Sequence, residues 1–321
     1  MAAILRPIVL LLLFALSACT ALQQRKPEGV SFLAFGDSGY HYDYLKKKVR
    51  QNPLTVEGYL AARRKKWIGK QLPQEEFEAP PIHIVPGTRQ AVEASGARPV
   101  AEAMYSFCAR DDCQFALMLG DNIYPAGATG TGDEIRFRKI LEEPYRKLVE
   151  SRAGFRLYAV LGNHDWKTSR AGRQRQIEYG ERSDTAFTLE SPGYYSFVRG
   201  DVEFFAIDTN LLLAGTRVKK GELNPDGSEK ESGEPDVPKR WELPGGGDRR
   251  QLRWLEQALK HSRAGWKVVF GHHPLWSAGG GKFEQARSLR RLIGPLICRY
   301  ADIYLAGHEH DLELNLDSCR A

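Results

Sequence analysis

Five short apolar runs in this 321-residue chain are each followed by a polar side chain of a type that binds metals, and four of the five runs turn directly at a glycine before it. The runs cover Val30 to Phe35, Phe115 to Leu119, Leu157 to Leu161, Trp266 to Phe270 and Ile303 to Leu305. They are rich in β-branched and aromatic residues and short enough to be buried strands that turn at the glycine. Because strand ends in a rigid sheet hold side chains in fixed positions, the repetition predicts an α/β fold with one shared site.

The polar residues after the runs are the mixture of ligands that a pair of metal ions needs. Two neighbouring cations repel each other unless an anion such as a carboxylate lies between them. Imidazole nitrogens and hard oxygens complete such a site. Each segment alone is typical of an ordinary turn, but five in this order predict a two-metal site. Its ligands would be Asp37, Asp121, Asn163, His272, His308 and His310.

At these residues the chain resembles the calcineurin-like metallophosphoesterases, and within them the compact, tartrate-resistant purple acid phosphatases. The shared patterns are G-D-x-G at Asp37, G-D-x-x-Y from Asp121 to Tyr124, G-N-H-D at Asn163, V-x-G-H-x-P at His272 and G-H-x-H at His308. The tyrosine of the second pattern separates purple acid phosphatases from most of their relatives. The resemblance implies a four-layer α/β/β/α sandwich of two mixed sheets with helices outside.

The resemblance implies that the first ion, Fe(III) in this family, is bound by Asp37, Tyr124 and His310. Asp121 would bridge this ion and the second one. A phenolate at Tyr124 would stabilise the trivalent iron and give the protein a charge-transfer colour. If Tyr124 only packs in the core, both ions would be divalent and the protein colourless.

The second ion, a divalent iron, zinc or manganese, would by the same resemblance be bound by Asn163, His272 and His308. His164 would be the catalytic residue over the substrate, where it stabilises transition-state charge or protonates the leaving oxygen. Asp165 would orient the neighbouring loop or His164. The implied reaction is acid phosphatase-like hydrolysis of a phosphomonoester, in which a metal-bound hydroxide attacks phosphorus in line.

The chain departs from the tartrate-resistant pattern at two residues near the site. Trp166 follows the G-N-H-D segment, where those enzymes often have a second histidine, so their substrate contacts need not transfer. His273 stands where they often have tyrosine, and we interpret it as a packed histidine rather than a ligand. We interpret His41, just past the first loop, as a solvent-facing residue, with contact to substrate as the alternative.

Two other functions stay open from the sequence. One is a phosphodiesterase or nuclease on the same scaffold, against which Tyr124 argues. The other is a non-catalytic surface lipoprotein that binds metal or phosphate, against which the intact His164 argues. The formal net charge of +6 suits an anionic substrate and equally a position near a membrane surface. We expect the substrate to be a phosphorylated small molecule or a phosphoprotein. Nucleic acid is not expected, because the Lys and Arg residues are not interleaved with aromatic residues.

The N-terminal residues predict export. The apolar segment Ile8 to Leu16 is too short for a transmembrane helix and is typical of a signal peptide. The sequence Leu-Ser-Ala-Cys ending at Cys19 resembles a bacterial lipobox. We therefore predict a lipoprotein-type signal peptide over residues 1–18, a lipid anchor on Cys19 that places the protein at the outer membrane facing the periplasm, and a tether over residues 19–29. An ordinary secretory peptide cut at the same place is the alternative.

The rest of the chain predicts a single metallophosphoesterase domain over residues 30–321, with insertions at about 44–96 and 214–248. The first insertion is basic and rich in proline, and it fits equally a specificity element beside the active site and a solvated, partly helical segment. The second is rich in Gly, Pro and charge and predicts a surface loop. Relatives usually continue with further strands, so we expect either a truncated or a short member, with Leu312 to Leu316 starting a strand.

Periodicity and cysteine spacing complete the expectations. Helices are predicted over Arg98 to Arg110, Glu134 to Glu150, Gln251 to His261 and Gln285 to Tyr300, and a strand pair over Tyr194 to Val198 and Val202 to Asp208. Four cysteines follow Cys19, and an oxidising compartment allows them two disulfides in three connectivities. We favour the pairing of Cys108 with Cys113, which closes a small loop.

Overall fold

The computed structural model describes residues 29–69, 71–214, 216, 221–223, 229–231, 247–277 and 283–319. The predicted signal peptide, the lipid anchor on Cys19 and nearly all of the tether lie outside the described residues, as does most of the second insertion. No helix within the described ranges is both long enough and apolar enough to span a membrane.

Strands and helices alternate along most of the described chain, as predicted for an α/β fold. The strands are β1 Phe32–Phe35, β2 Ile82–Ile84, β3 Ala91–Glu93, β4 Phe115–Met118, β5 Leu157–Ala159, β6 Phe187–Thr188, β7 Tyr195–Arg199, β8 Val202–Ala206, β9 Gly221–Leu223, β10 Glu229–Glu231, β11 Trp266–Phe270 and β12 Ile303–Leu305. The α-helices are α1 Lys47–Gln51, α2 Val56–Gly69, α3 Ala97–Asp111, α4 Glu134–Phe137, α5 Arg146–Glu150, α6 Asn163–Trp166, α7 Arg170–Gly180, α8 Thr209–Ala214, α9 Gly247–His261 and α10 Phe283–Tyr300.

Two four-stranded sheets form the body of the protein. The first has the order β1-β4-β5-β6 and pairs in parallel throughout. The second has the order β12-β11-β8-β7, in which β12, β11 and β8 are parallel and β7 is antiparallel to β8. The predicted pair of sheets is confirmed, and the parallel strands place several strand ends at one edge of each sheet.

The side chains of β8 show how the second sheet is covered on both faces. Successive residues of a strand point to opposite faces. Phe204 and Ala206 belong to the core shared with the first sheet, whereas Phe205 and Ile207 belong to a separate core. The Phe204 ring lies 5.2 Å from that of Phe115 on β4, centroid to centroid, so aromatic side chains fill the space between the sheets.

Helices close the outer faces of both sheets. Leu255 of α9 and Leu289 of α10 are fully buried in the outer core of the second sheet. Ala101 and Met104 of α3 join the large core that contains β4. The result is the predicted four-layer α/β/β/α arrangement.

Two predicted elements differ from the structure. The helix expected over Glu134 to Glu150 is interrupted after α4 by a π turn, Arg138–Glu142, and a 3-10 turn, Glu143–Tyr145, before α5. Pro144 explains the interruption, because proline lacks the N–H that a continuous helix needs. The strand expected from Leu312 is also wrong. Within the described ranges, that segment forms no strand, and its three leucines are exposed.

The first insertion contains α1, α2 and the antiparallel hairpin β2-β3. Its last residues contact the first ligand loop, since the Ser95 hydroxyl donates to the carbonyl of Tyr40 at 2.9 Å. The predicted disulfide between Cys108 and Cys113 is confirmed, and a second one joins Cys298 to Cys319.

Candidate metal centre

The candidate site lies where five parallel strands of the two sheets end. Asp37 follows β1, Asp121 follows β4, Asn163 follows β5, His272 follows β11, and His308 and His310 follow β12. Within each sheet these strands run in the same direction, so their carboxyl ends share one edge. Ligand-type atoms of Asp37, Asp121 and His272, from both sheets, lie within 4.8 Å of one another. The two edges therefore meet at a single site.

The predicted ligands of the first ion form one group. The Tyr124 hydroxyl is 2.7 Å from Oδ2 of Asp121, 3.2 Å from Oδ1 of Asp37 and 3.3 Å from Nε2 of His310. Nε2 of His310 is itself 3.1 Å from Oδ1 of Asp37. Two carboxylates, a phenol and an imidazole make a hard, anionic donor set, which suits a highly charged cation.

The predicted ligands of the second ion form an adjoining group. Nε2 of His272 is 2.9 Å from Oδ1 of Asn163 and 3.1 Å from Nδ1 of His308. The same nitrogen is 3.5 Å from Oδ1 of Asp121. Asp121 thus directs Oδ2 towards the first group and Oδ1 towards the second, which is the placement a bridging carboxylate requires.

The protons of the histidines show that the second group fits a cation. Nδ1 of His272 is 2.8 Å from the carbonyl of Leu119, and a carbonyl only accepts, so the proton sits on Nδ1. Nε2 of His308 is 2.6 Å from Oε1 of Gln285, which leaves Nδ1 unprotonated. The lone pairs of both rings and the Asn163 oxygen then converge with no hydrogen between them. A cation among them is the natural complement of such a set.

The backbone at the site adopts conformations that side chains rarely occupy. Asp37, Asp121, His308 and His310 have φ values of 56°, 54°, 78° and 59°. Such left-handed residues persist only where the surroundings hold them, and they gather at functional sites. Gly162 permits a close approach here, because a Cβ at this position would lie 2.2 Å from Oδ1 of Asp121.

The pKa values of Tyr124 and Asp37 in the first group differ from their ordinary values in opposite directions. Burial raises the pKa of the Tyr124 phenol far above its ordinary value of 10, and the Asp121 and Asp37 carboxylates raise it further. Burial alone would raise the pKa of Asp37, but its hydrogen bonds with the His310 side chain and with the backbone N–H of His308 turn the net shift downward. The pocket therefore holds an ionised Asp37 beside a phenol that loses its proton only if positive charge is added.

His164 lies beside the first group. Its Nδ1 donates to the carbonyl of Pro125 at 2.8 Å, and its ring lies 4.2 Å from the Tyr124 ring, centroid to centroid. Nε2 is 3.5 Å from Nζ of Lys167. The side chain is half-buried, unlike the fully buried His272. One nitrogen is thus fixed to the backbone, and Nε2, which lies beside the Lys167 ammonium, can donate a proton only when the ring carries both protons.

Asp165 holds the ligand loops together. Its buried carboxylate accepts from the backbone N–H of Gly162 at 2.8 Å and of Asn122 and Ile123 at 3.0 Å. Burial and the charge of Asp121 raise the pKa of Asp165 to about 8, against the lowering effect of these hydrogen bonds. This placement agrees with the expected orienting role.

The two residues that depart from the family pattern are buried and hydrogen-bond to residues other than the ligands, although the His273 ring lies 4.4 Å from that of His308, centroid to centroid. Trp166 is buried, and its indole N–H donates to Oδ2 of Asp208 at 3.0 Å. His273 is fully buried with Nδ1 2.7 Å from the Thr209 hydroxyl, as a packed histidine would be.

His41 is half-buried rather than solvent-facing, because its ring stacks on Tyr42 at 4.4 Å. Its Nδ1 accepts from the backbone N–H of Asp43 at 3.1 Å, and burial lowers its pKa. His83 of the first insertion stacks on the same Tyr42 ring at 3.9 Å. The insertion therefore packs against the loop that follows Asp37.

Two supporting residues have no motif that would reveal them in the sequence. Gln285 contacts His308 across 23 positions of the chain. The Arg136 guanidinium donates to the carbonyls of Tyr124 at 2.9 Å, Ala126 at 2.6 Å and Gly127 at 3.1 Å, and so supports the loop that carries the tyrosine. Both act through contacts that only the folded chain creates.

Comparison with known proteins agrees with this geometry. The family model described as "Calcineurin-like phosphoesterase" matches residues 30–312. Tartrate-resistant acid phosphatase type 5 of Oryctolagus cuniculus is 28% identical over 200 residues, which cover 62% of this chain and 56% of that protein. Purple acid phosphatase 7 of Arabidopsis thaliana is 29% identical over 209 residues, covering 63% of this chain and 56% of that protein. The matched region thus spans little more than half the length of these relatives.

A solved structure shares the fold at lower sequence similarity. It is a dimetal phosphatase from Danio rerio, with a TM-score of 0.50 and 16% identity, covering 90% of this chain and 84% of that one. At this identity the likeness concerns the fold alone.

Proposed function

Because the chain belongs to the calcineurin-like phosphoesterase family, we propose that it is an acid phosphatase-like hydrolase of phosphomonoesters that uses two metal ions. The observation that carries the proposal is the Tyr124 hydroxyl, which lies between Asp37 and Asp121 at 3.2 and 2.7 Å. This tyrosine belongs to the pattern of purple acid phosphatases rather than of most relatives. The proposed substrate is a phosphorylated small molecule or a phosphoprotein.

The two groups of side chains divide the work of holding the ions. The first ion would be held by Asp37, Tyr124 and His310, the second by Asn163, His272 and His308, and both by Asp121. When bound, the ions supply Lewis-acid activation of water and neutralise charge on the phosphoryl oxygens. Four of the ligands, Asp121, Asn163, His272 and His308, are buried, whereas His310 is exposed. Burial of these four side chains would hold most of the arrangement fixed before substrate arrives, which is the main requirement of electrostatic catalysis.

His164 is the proposed proton donor to the leaving oxygen. Its Nδ1 proton is committed to the carbonyl of Pro125, so Nε2 is the nitrogen that can deliver a proton. The backbone N–H of His164 also donates to Oδ1 of Asp121 at 2.7 Å, which fixes the residue relative to the bridging carboxylate. The leaving alkoxide would gain the proton from Nε2 as the phosphorus–oxygen bond breaks.

Hydrolysis of two test esters separates the candidate functions. We expect turnover of p-nitrophenyl phosphate to exceed that of bis-p-nitrophenyl phosphate by at least about tenfold in kcat/KM, which corresponds to about 1.4 kcal/mol of transition-state selectivity. Preference for the diester would favour a phosphodiesterase or nuclease. Bound metal without turnover of either ester would favour a non-catalytic binding protein.

For the ions we propose Fe(III) in the first position and divalent iron, zinc or manganese in the second. The support is the donor set, since two carboxylates and a phenol favour a trivalent ion. We expect Tyr124→Phe to remove any visible absorption band. Tyr195→Phe is the control, because Tyr195 is a buried tyrosine whose hydroxyl donates to the carbonyls of Ala159 and Thr188 rather than to a proposed ligand. A band that persists in Tyr124→Phe would contradict the phenolate assignment.

We further propose that the protein is exported and anchored by a lipid on Cys19. The two disulfides support export, because disulfides persist in oxidising compartments. Cys19→Ser should move the protein from the membrane fraction to the soluble fraction of the cells. Continued membrane association of the serine variant would argue against lipidation at this residue.

A further inference from the structure

We propose that Gln285 is a positioning residue for the second metal position, because it sets which nitrogen of His308 faces the ion. Oε1 of Gln285 is 2.6 Å from Nε2 of His308, and both side chains are buried, at 6% and 3% exposure. No water competes readily for such a contact. The inference rests on the proposed function only for the identity of the metal ligands.

The amide oxygen dictates the tautomer of His308. An amide oxygen only accepts, so the imidazole carries its proton on Nε2 and presents a lone pair at Nδ1. Nδ1 is the atom that lies 3.1 Å from Nε2 of His272, within the second group. With the amide nitrogen in place of the oxygen, the proton would move to Nδ1, and His308 could not bind an ion there.

The two histidines of the second group are held by different means. His272 donates to the carbonyl of Leu119, a backbone atom that no substitution of a side chain removes. His308 relies on a side chain at the start of α10. Since a neutral amide accepts less strongly than a carboxylate, Gln285 also leaves His308 a weaker donor to metal than it would be beside Glu. Substitution of Gln285 should therefore change the metal affinity of the second position.

The first group does not share this dependence. His310, Tyr124 and Asp37 contact one another and Asp121. Removal of the acceptor at Gln285 should therefore weaken the second position selectively. Outer contacts of this kind typically contribute 10–100-fold to metal affinity.

The test compares Gln285→Met, which keeps the length of the side chain without the acceptor, with Gln285→Glu, which strengthens it. The purified full chain is loaded with iron, then with Zn²⁺ as the probe of the second position, and dialysed against chelators of graded strength. Iron and zinc per chain are measured without substrate, so failure of phosphatase activity would not affect the result. We expect a 10–100-fold loss of zinc affinity in Gln285→Met, unchanged iron, and zinc held at least as tightly as in the wild type by Gln285→Glu.

Gln251→Met is the matched control, since Gln251 is a fully buried glutamine that contacts the backbone of Asp208 instead of a ligand. It should keep zinc with wild-type affinity. Wild-type zinc affinity in Gln285→Met, or an equal loss in Gln285→Glu, would overturn the proposal. Equal losses of iron and zinc shared with Gln251→Met would also overturn it, because a general loss of stability would then explain them.

Discussion

In the second group of the site, His272 and His308 face each other with lone pairs rather than with hydrogens. His272 donates a hydrogen bond to the carbonyl of Leu119, and His308 donates one to the side chain of Gln285. The second nitrogen of each ring therefore presents a lone pair to the site. The four ligand residues with positive φ add backbone strain of the order of 1–3 kcal/mol each, which the surrounding contacts must offset. A chain that retains such strain at its metal ligands is built for binding at this place.

His164 can be separated from the ligands by substitution. We expect His164→Ala to lower turnover about 10²–10⁴-fold, the range for lost general acid catalysis, with metal content unchanged. The backbone N–H that donates to Asp121 remains in the variant. The loss should be larger for phenyl phosphate than for p-nitrophenyl phosphate, because the poorer leaving group needs the proton more.

His261→Ala serves as the control for this prediction, since His261 is exposed on α9 and its Nδ1 lies 2.8 Å from the carbonyl of Gln257 in its own helix. Its turnover should equal that of the wild type. Equal losses with the two esters in His164→Ala would contradict proton donation. Loss of metal from that variant would mean that the side chain supports the centre instead.

Site residues can be predicted from the sequence when the residues next to them in the chain indicate a strand end. Asp37, Asp121 and His272 each follow an apolar run and a glycine, so both their chemistry and their place at a strand end can be predicted. Gln285 and Arg136 have no such context. Gln285 belongs to a helix whose other buried residues are mostly apolar, and its role exists only because α10 packs beside β12.

At the scale of elements, periodicity predicted the strands and helices that bury one face. The α9 helix was predicted from the spacing of its leucines, and Leu255 and Leu259 are buried as expected. The segment from Glu134 to Glu150 has the same kind of spacing, but Pro144 divides it into short turns. The spacing of apolar residues predicts which face of a helix is buried. It does not predict whether the backbone hydrogen bonds of that helix continue without interruption.

Asp208 connects the start of α8 to Trp166, which lies three residues after the ligand Asn163. Its carboxylate accepts from the backbone N–H of Asn210 at 3.0 Å and from that of Leu211 at 3.2 Å, and it also accepts from the Trp166 indole. Burial raises the pKa of Asp208 from 3.8 to about 6, although these hydrogen bonds lower it. The folded protein therefore binds this proton more tightly than the unfolded chain does.

This difference predicts how stability depends on pH. The contribution of Asp208 is complete below about pH 3.8 and is lost as the pH rises through 6. We expect the unfolding free energy of Asp208→Asn to fall less steeply than that of the wild type between pH 4 and 6. Urea unfolding of both proteins at matched pH values measures the difference. Parallel curves would show that the protonation of Asp208 does not change on unfolding.

At the scale of the whole molecule, the site joins the two sheets. The first sheet supplies Asp37, Asp121 and Asn163, and the second supplies His272 and the histidines after β12. Aromatic contacts such as that of Phe115 with Phe204 already hold the sheets together beneath the site. Bound ions would add links at the edge, where ligand-type atoms of both sheets meet.

Removal of the metals should therefore destabilise the whole fold. A ligand that binds only the folded state adds about 2.7 kcal/mol when its concentration is 100 times its Kd. We expect chelated protein to unfold at lower urea concentration than metal-loaded protein, and reloading to restore the midpoint. Asp121→Asn is the control, because loss of the bridging carboxylate should abolish metal retention and make its midpoint insensitive to chelator. If chelator lowered the midpoint of that variant as much as that of the wild type, the stabilising ions would have to bind somewhere other than between the two sheets.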